Sequence, residues 1–345
     1  ITGNILGAAL PMLIAQILNL LYNIVDRIYI ARIPEIGTAA LGAVGLCFPI
    51  IVIITAFSNL FGTGGAPLFS IFRGKKDPDT ARRIMNTSFT MLCVCAVILM
   101  AVGFLFARPI LILFGASAEA IVYAYPYMML YLIGTLPSMI AVGMNPFINA
   151  QGYSSIGMLS VAIGAGTNLV LDPLFIFALG LGVRGAAIAT VISQCLSAFL
   201  VVRCLTREEG DIRLDLRALR ITPNRLWQIL EIGIPSGVQG LAFSLSNVII
   251  QAAINGFGET VISGNTAASN IEGFIYVACN AFYQANVAFT SQNYGAGKMK
   301  RVTRILLYCL GVVIVVGVVM GGGAVLTGPK LLQIYSSDPE VISYG

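Results

Sequence analysis

Three acidic residues, Asp26, Asp172 and Glu272, stand inside long apolar stretches of the chain. A carboxylate at the centre of a membrane-spanning helix costs about 2.5–3.5 kcal/mol on insertion scales, so each marks a candidate functional position. In the first stretch Gln16, Asn19, Asn23 and Asp26 share one helical face, which cannot face lipid and must line an interior cavity. The competing reading of Asp26 is an interfacial acid paired with Arg27 or Arg32. Further on, Asn168 and Asp172 are four residues apart on one face, and Pro173 follows at once. A proline there removes a backbone hydrogen bond and frees a carbonyl oxygen beside the carboxylate. The resulting oxygen-rich pocket suits a hard cation or a proton; the alternative is a structural hydrogen-bond pair between helices. Near the end of the chain Asn265, Ser269, Glu272, Tyr276, Asn280 and Tyr283 again line one helical face. An acid flanked by tyrosines fits an organic cation, by charge and by cation–π contact. The alternative is a packing role for Glu272, hydrogen-bonded to Asn247 and Gln251.

These residues have to be held by membrane-spanning helices. Of the 345 residues 57% are hydrophobic and 10% charged, there is no histidine, and the mean hydropathy is +0.89. A soluble chain carries about 25% charged residues. The chain therefore reads as an all-α polytopic membrane protein, which excludes soluble enzymes and secreted disulfide scaffolds. The net charge of +5 is too small to point to a nucleic-acid partner. The seven cysteines lie in or at the ends of apolar runs with no C-x-x-C spacing and read as small buried hydrophobes, not metal ligands. Gly74-Lys75 and Gly297-Lys298 are not P-loops, since the upstream glycine spacing fails and no Ser or Thr follows. With no histidine base and no G-x-S-x-G, no enzymatic activity is expected, and no cofactor.

Nine stretches are long enough to span a bilayer: 5–30, 39–72, 87–114, 120–147, 156–180, 183–205, 225–255, 261–292 and 303–327. Prolines 11, 49, 137, 173 and 235 lie inside them and predict kinked helices around a cavity. Fifteen of the 20 basic residues fall into three clusters. One follows the second span (Arg73, Lys75, Lys76, Arg82, Arg83), one the sixth (Arg203, Arg207, Arg213, Arg217, Arg220, Arg225) and one the eighth (Lys298, Lys300, Arg301, Arg304). Parity puts all three on one side. By the positive-inside rule that side, with the N-terminus, is cytoplasmic, and the expected location is the plasma (inner) membrane.

The chain also repeats itself. Leu10-Pro11 corresponds to Ile234-Pro235, RGKKDPDTARRI (73–84) to YGAGKMKRVTRI (294–305), and RPILILFGASAEAIVYA (108–124) to GPKLLQIYSSDPEVISY (328–344). Six spans separate the copies, so both point the same way. Parallel repeats predict two six-helix bundles related by a pseudo-twofold axis along the membrane normal, with a substrate cavity between them. The expected domains are an N-lobe of six helices (1–205), a solvated cytoplasmic linker (206–224) and a C-lobe (225–345). The C-lobe is expected to hold only its first three helices, so that three spans of a twelve-span protein, and a short N-terminal piece, lie outside the chain.

The runs LYNIVDRIYIAR, GAVGLCFPI, GTGGAP followed by RGKK, NLVLDPLFIF, GVRGAAIATVISQ and SQNYGAGK resemble the multidrug and toxic compound extrusion (MATE) family, most closely its prokaryotic branch. The resemblance covers essentially the whole chain. It implies twelve helices in two lobes and export of organic cations or amphipathic drugs in exchange for protons or sodium ions, by a monomer in the lipid bilayer. It places cation coupling in the N-lobe, at positions matching Asp26, Asn168, Asp172 and Thr190; these would also be the metal ligands if sodium is the coupling ion. Gln16, Asn19, Asn23, Glu272, Tyr276, Asn280 and Tyr283 are the expected substrate-cavity residues, Glu272 matching an acid that a subset of relatives carries. Asp26 and Asp172 would be close like charges that a shared proton or a sodium ion relieves. The rival reading is a lipid-linked precursor flippase of a related branch. Such a cavity needs several arginines for pyrophosphate, and only Arg27 is a candidate. An uncoupled channel or receptor is disfavoured by the duplicated lobes and buried acids.

Overall fold

The computed structural model describes residues 2–207 and 212–345, and every described element is helical. In chain order these are α1 (Thr2–Ala31), α2 (Gly37–Gly74), α3 (Pro78–Leu113), α4 (Ala118–Ile133), α5 (Thr135–Gln151), α6 (Ser154–Pro173), α7 (Val183–Thr206), α8 (Pro223–Asn255), α9 (Glu259–Gly295), α10 (Met299–Leu332) and α11 (Pro339–Tyr344). Among the described residues seven helices are long and apolar enough to cross a membrane, and the bent pair α4–α5 makes an eighth. At 37 residues α9 is as long as its neighbours, but its polar face leaves it outside that set.

The expected span 120–147 is not one continuous helix. It breaks at Gly134, where α4 and α5 meet at 56°. The physical reason is Pro137, whose ring cannot share space with the carbonyl of Ile133, four residues back, the last residue of α4. Pro173 acts in the same way at the end of α6. There the chain passes into a π-helical turn, Leu174–Ala178, closed by Leu179 N–H donating to the Leu174 carbonyl at 2.9 Å.

The linker is not simply solvated. The side chain of Asn86 accepts from the Asp215 N–H (3.3 Å), Gln151 donates to the Ile212 carbonyl (3.3 Å), and the Thr87 hydroxyl accepts from the Thr222 N–H (3.3 Å). Leu214 is buried in the core beside Val201 and Leu205. Residues 212–222 are thus pinned beneath α3 and α5, while 208–211 lie outside the described residues. Close by, Asp77 caps α3 by accepting from the Thr80 N–H at 3.1 Å, and its hydrogen bonds to Thr80 hold the carboxyl below the usual carboxylate range. The cysteines also differ from expectation: Cys47 and Cys309 are buried, but Cys195 is exposed on α7.

The sequence repeat is visible in the packing. α3 and α4 pack on α2, and in the same way α10 and α11 pack on α9. Ser117 caps α4 by accepting from Ala120 N–H, and Asp338 caps α11 by accepting from Glu340 N–H. The two copies meet where α2 and α9 end. A Cβ on Gly74 would collide with the Gln292 carbonyl oxygen, and a Cβ on Gly295 with that of Ile71. In the sequence repeat Gly74 corresponds to Gly295 and Ile71 to Gln292, so the contact is its own twofold image. The adjacent contacts obey the same relation. Gly64 of α2 lies against the backbone of Ile229 and Gly233 in α8, while Ala285 of α9 joins Ile5 and Ala9 of α1 in one core cluster. Replacing Gly295 by Val is expected to part α2 from α9 at this contact. A single cysteine placed at Ile229, fully buried in the native protein, should then react several-fold faster with a soluble maleimide; unchanged labelling would show that the contact does not close this end.

Candidate functional site

α1 packs along α6, and α6 along α7, which sets the polar residues of three helices facing one another. The carboxyl groups of Asp26 and Asp172 lie within hydrogen-bonding reach. Asn168 donates through Nδ2 to the Thr190 hydroxyl at 3.4 Å, and that hydroxyl donates to the Ala186 carbonyl at 3.0 Å. Asn168 and Asp172 are fully buried. The structure thus brings Asp26, Asn168, Asp172 and Thr190 into one site. The π-helical turn after Pro173 is held against α1 by an edge-to-face contact of Phe177 with Tyr29, 6.4 Å between centroids.

The hydrogen bonding of this site is incomplete in one direction only. Asp26 Oδ1, Asn168 Oδ1 and both carboxyl oxygens of Asp172 are buried without a donor. Two ionised carboxylates facing each other are acceptors only, so no arrangement of their own atoms satisfies them. Native structures rarely leave buried polar atoms unpaired. Four such oxygens on three neighbouring side chains form an acceptor-only pocket that a proton, a water or a small cation would satisfy. An arginine does not meet the need. The Arg27 guanidinium lies over the Phe48 ring, 5.8 Å from its centroid, and no ion pair to Asp26 is found among the described residues.

Three tyrosines that the spacing analysis did not single out complete the surroundings. Tyr22 lies beside Thr190 and Asp26. Tyr127 and Tyr131 of α4 stack with centroids 6.1 Å apart in the neighbourhood of Asp26. Tyr22 stands one turn before Asp26, a signal available in the sequence. Tyr127 and Tyr131 had no such signal, because only the packing of α4 brings them here.

The remaining candidates lie elsewhere. Gln16 accepts from Asn280 of α9 at 3.0 Å, a link between the two halves of the chain. Asn23 donates to the Asn19 carbonyl at 2.7 Å, and both side chains are exposed. Glu272, Tyr276 and Tyr283 are exposed on α9, with Tyr276 stacked on Phe243 at 6.0 Å. Gln251, weighed above as a partner of Glu272, accepts from Asn265 at 3.3 Å. Among the described residues no group of three or more acidic, cysteine or histidine side chains gathers as a metal cluster.

A bundle of long apolar helices with an internal repeat and a buried polar site reached from several helices defines a multi-pass membrane transporter, not an enzyme. The chain belongs to the MATE family: the MatE family model matches residues 11–174 and 235–345. It is similar to the multidrug export protein MepA of Staphylococcus haemolyticus, 23% identical over 336 residues that cover 97% of this chain and 73% of that one. It is also similar to a FAD transporter of Shewanella oneidensis, 26% identical over 352 residues covering 99% and 75%. Among solved structures it superposes on the outward-facing conformation of a multidrug resistance MATE family transporter with a TM-score of 0.89, at 25% identity, covering 98% of this chain and 75% of that one.

Because the facing carboxylates lack a donor, Asp172→Asn supplies one to Asp26. It is expected to raise the melting temperature of the purified protein by a few degrees, and added coupling cation should narrow that difference. A variant less stable than wild type would show that the two carboxyl groups do not oppose each other.

Proposed function

We propose that this chain is a secondary active exporter that exchanges an inward-moving proton or sodium ion for an organic cation or amphipathic drug, by alternating access. The observation that carries this reading is the set of four buried, donorless oxygens on Asp26, Asn168 and Asp172. A proton between the two carboxyl groups converts one acceptor into a donor. A sodium ion is held instead by the same oxygens, with the Thr190 hydroxyl beside them. One monovalent cation moving down a 100 mV potential releases about 2.3 kcal/mol, enough for roughly a 50-fold gradient of a neutral substrate.

The fold supports a route from this site to the substrate cavity. One end of α1 carries Asp26; the other carries Ile5, Ala9 and Met12, packed with Ala281, Phe282 and Ala285 of α9. A shift of α1 on cation binding therefore reaches the contact between residues 1–205, read as the N-lobe, and 225–345, read as the C-lobe, which the linker 206–224 joins. The reciprocal glycine contact closes the end that the charge map assigns to the cytoplasm. This supports an outward-open arrangement in the plasma membrane with a cytoplasmic N-terminus. The exposed face of Glu272, Tyr276 and Tyr283 offers charge and aromatic surface to a cationic substrate, with Gln16, Asn19, Asn23 and Asn280 as polar neighbours. An anionic substrate, like the one named for the Shewanella relative, or a lipid pyrophosphate would meet an acid there instead of the arginines it needs.

The test uses the full-length protein in liposomes, following efflux of a fluorescent organic cation under an imposed sodium gradient or an imposed pH gradient. One of the two gradients is expected to drive efflux, at least tenfold faster in wild type than in Asp172→Asn or Asp26→Asn, with Thr190→Val intermediate. Efflux indifferent to both gradients, or undiminished in the Asp172 variant, would overturn coupled antiport at this site.

A further inference from the structure

On the outside of the bundle, at the end that carries the basic clusters, α6 and α7 leave an open groove of about 630 Å³ between them. Ile156, Leu159, Ile163 and Leu200 make its wall, and Arg203 and Arg207 stand at its rim. The wall is open: Ile156 is 43% exposed and Leu159 52%. Arg203 lies in the last turn of α7 and Arg207, four residues on, is its C-cap residue, so both stand at the same end of the helix. Both are exposed, and neither guanidinium has a hydrogen-bond or ion-pair partner among the described residues. Other arginines on the same side are engaged. Arg73 donates to the Ala150 carbonyl at 2.8 Å, Arg82 pairs with Asp79 at 3.0 Å, and Arg225 donates to Gln228 at 2.8 Å while lying over the Phe72 ring.

We propose that the α6–α7 groove binds an anionic phospholipid of the cytoplasmic leaflet, its phosphate held by Arg203 and Arg207 and an acyl chain laid along Ile156, Leu159, Ile163 and Leu200. The chemistry of both ends points to this occupant. Guanidinium groups match phosphate oxygens in a fork-to-fork geometry and shed water more readily than an ammonium does. Basic pockets between transmembrane helices on the cytoplasmic side suit lipid headgroups. A soluble anion would use the two arginines but leave the apolar wall uncovered, and a neutral lipid would cover the wall but leave two cations without a counter-charge. Two features converge at the headgroup end: the negative C-terminal end of α7, which favours a pair of cations there in the absence of lipid, and Tyr153, a residue type enriched at the membrane interface.

The groove also touches the transport machinery. α6 carries Asn168 and Asp172, and α7 carries Thr190. Across their contact the Ser197 hydroxyl donates to the Ser160 carbonyl at 3.1 Å, and from α5 Asn145 donates to the Ser160 hydroxyl at 3.3 Å. Ser160 is itself at the base of the groove, so a bound lipid braces the helix pair that frames the candidate cation site.

The experiment measures lipid retained by the full-length protein by native mass spectrometry after exchange into phosphatidylglycerol or phosphatidylcholine of the same chains. Melting temperatures are taken in parallel with each lipid and with inorganic phosphate alone. Wild type is expected to retain phosphatidylglycerol at least tenfold over phosphatidylcholine and to gain stability from it but not from inorganic phosphate. The double variant Arg203→Gln/Arg207→Gln should lose that preference, and Arg203→Lys/Arg207→Lys should keep part of it. Leu159→Trp, which fills the groove without touching a charge, should lower retention of both lipids and keeps the test decisive if the glutamine pair folds poorly. Equal retention of the two lipids by wild type, retention by the glutamine pair matching wild type, or stabilisation by inorganic phosphate alone would each overturn the proposal. The first two would mean that the arginines serve only α7 or the acidic segment following it, and the third that the rim holds a free anion.

Discussion

Two carboxyl groups that face each other away from water cannot both be satisfied by the protein around them. Asp26 and Asp172 are in this position, and much of the surrounding architecture follows from tolerating it. Asn168 donates to Thr190 and Thr190 to the Ala186 carbonyl, and neither is directed at the acids. A fold that left out either acid would be easier to stabilise. This one keeps both, with no arginine ion-paired to either among the described residues.

Prolines supply the local irregularity such a site requires. A straight α6 would continue its ladder past Asp172; Pro173 forbids this, and the chain answers with a π-helical turn that Phe177 anchors on Tyr29 of α1. Pro137 likewise bends the α4–α5 pair, and α4 carries Tyr127 and Tyr131 to Asp26. Such bends are tolerable in a membrane only where neighbouring helices recover the lost backbone partners. The site is consequently a product of the whole helix set and not of any one segment.

The second organising feature is the twofold contact between the repeats. Glycine at 74 and at 295 lets two helix backbones meet directly, without side chains to interlock. A joint built from backbone against backbone has few side chains to unpack if it parts. α1 ties this joint to the acids, since it packs on α6 near Asp26 and on α9 near Ala9.

Composition and the internal repeat determined the class of protein and the correspondence of Gly74 with Gly295, because those properties belong to the order of residues along the chain; the nine expected spans were not all matched, since seven helices, or eight with the bent pair, are apolar enough to cross among the described residues. The i, i+4 pairing of Asn168 with Asp172 and the proline after it were equally legible, since one helix and one backbone rule contain them. Sequence spacing within α9 put Glu272 on a face with Asn265, but only the placement of α8 decided that Asn265 would meet Gln251. The pinning of residues 212–222 by Asn86, Thr87 and Gln151 was hidden for the same reason. Periodicity tells which residues share a side of one helix. It carries no information about which helix stands opposite, and the approach of Asp26 to Asp172, with Tyr127 and Tyr131 around them, depends on that choice of neighbours.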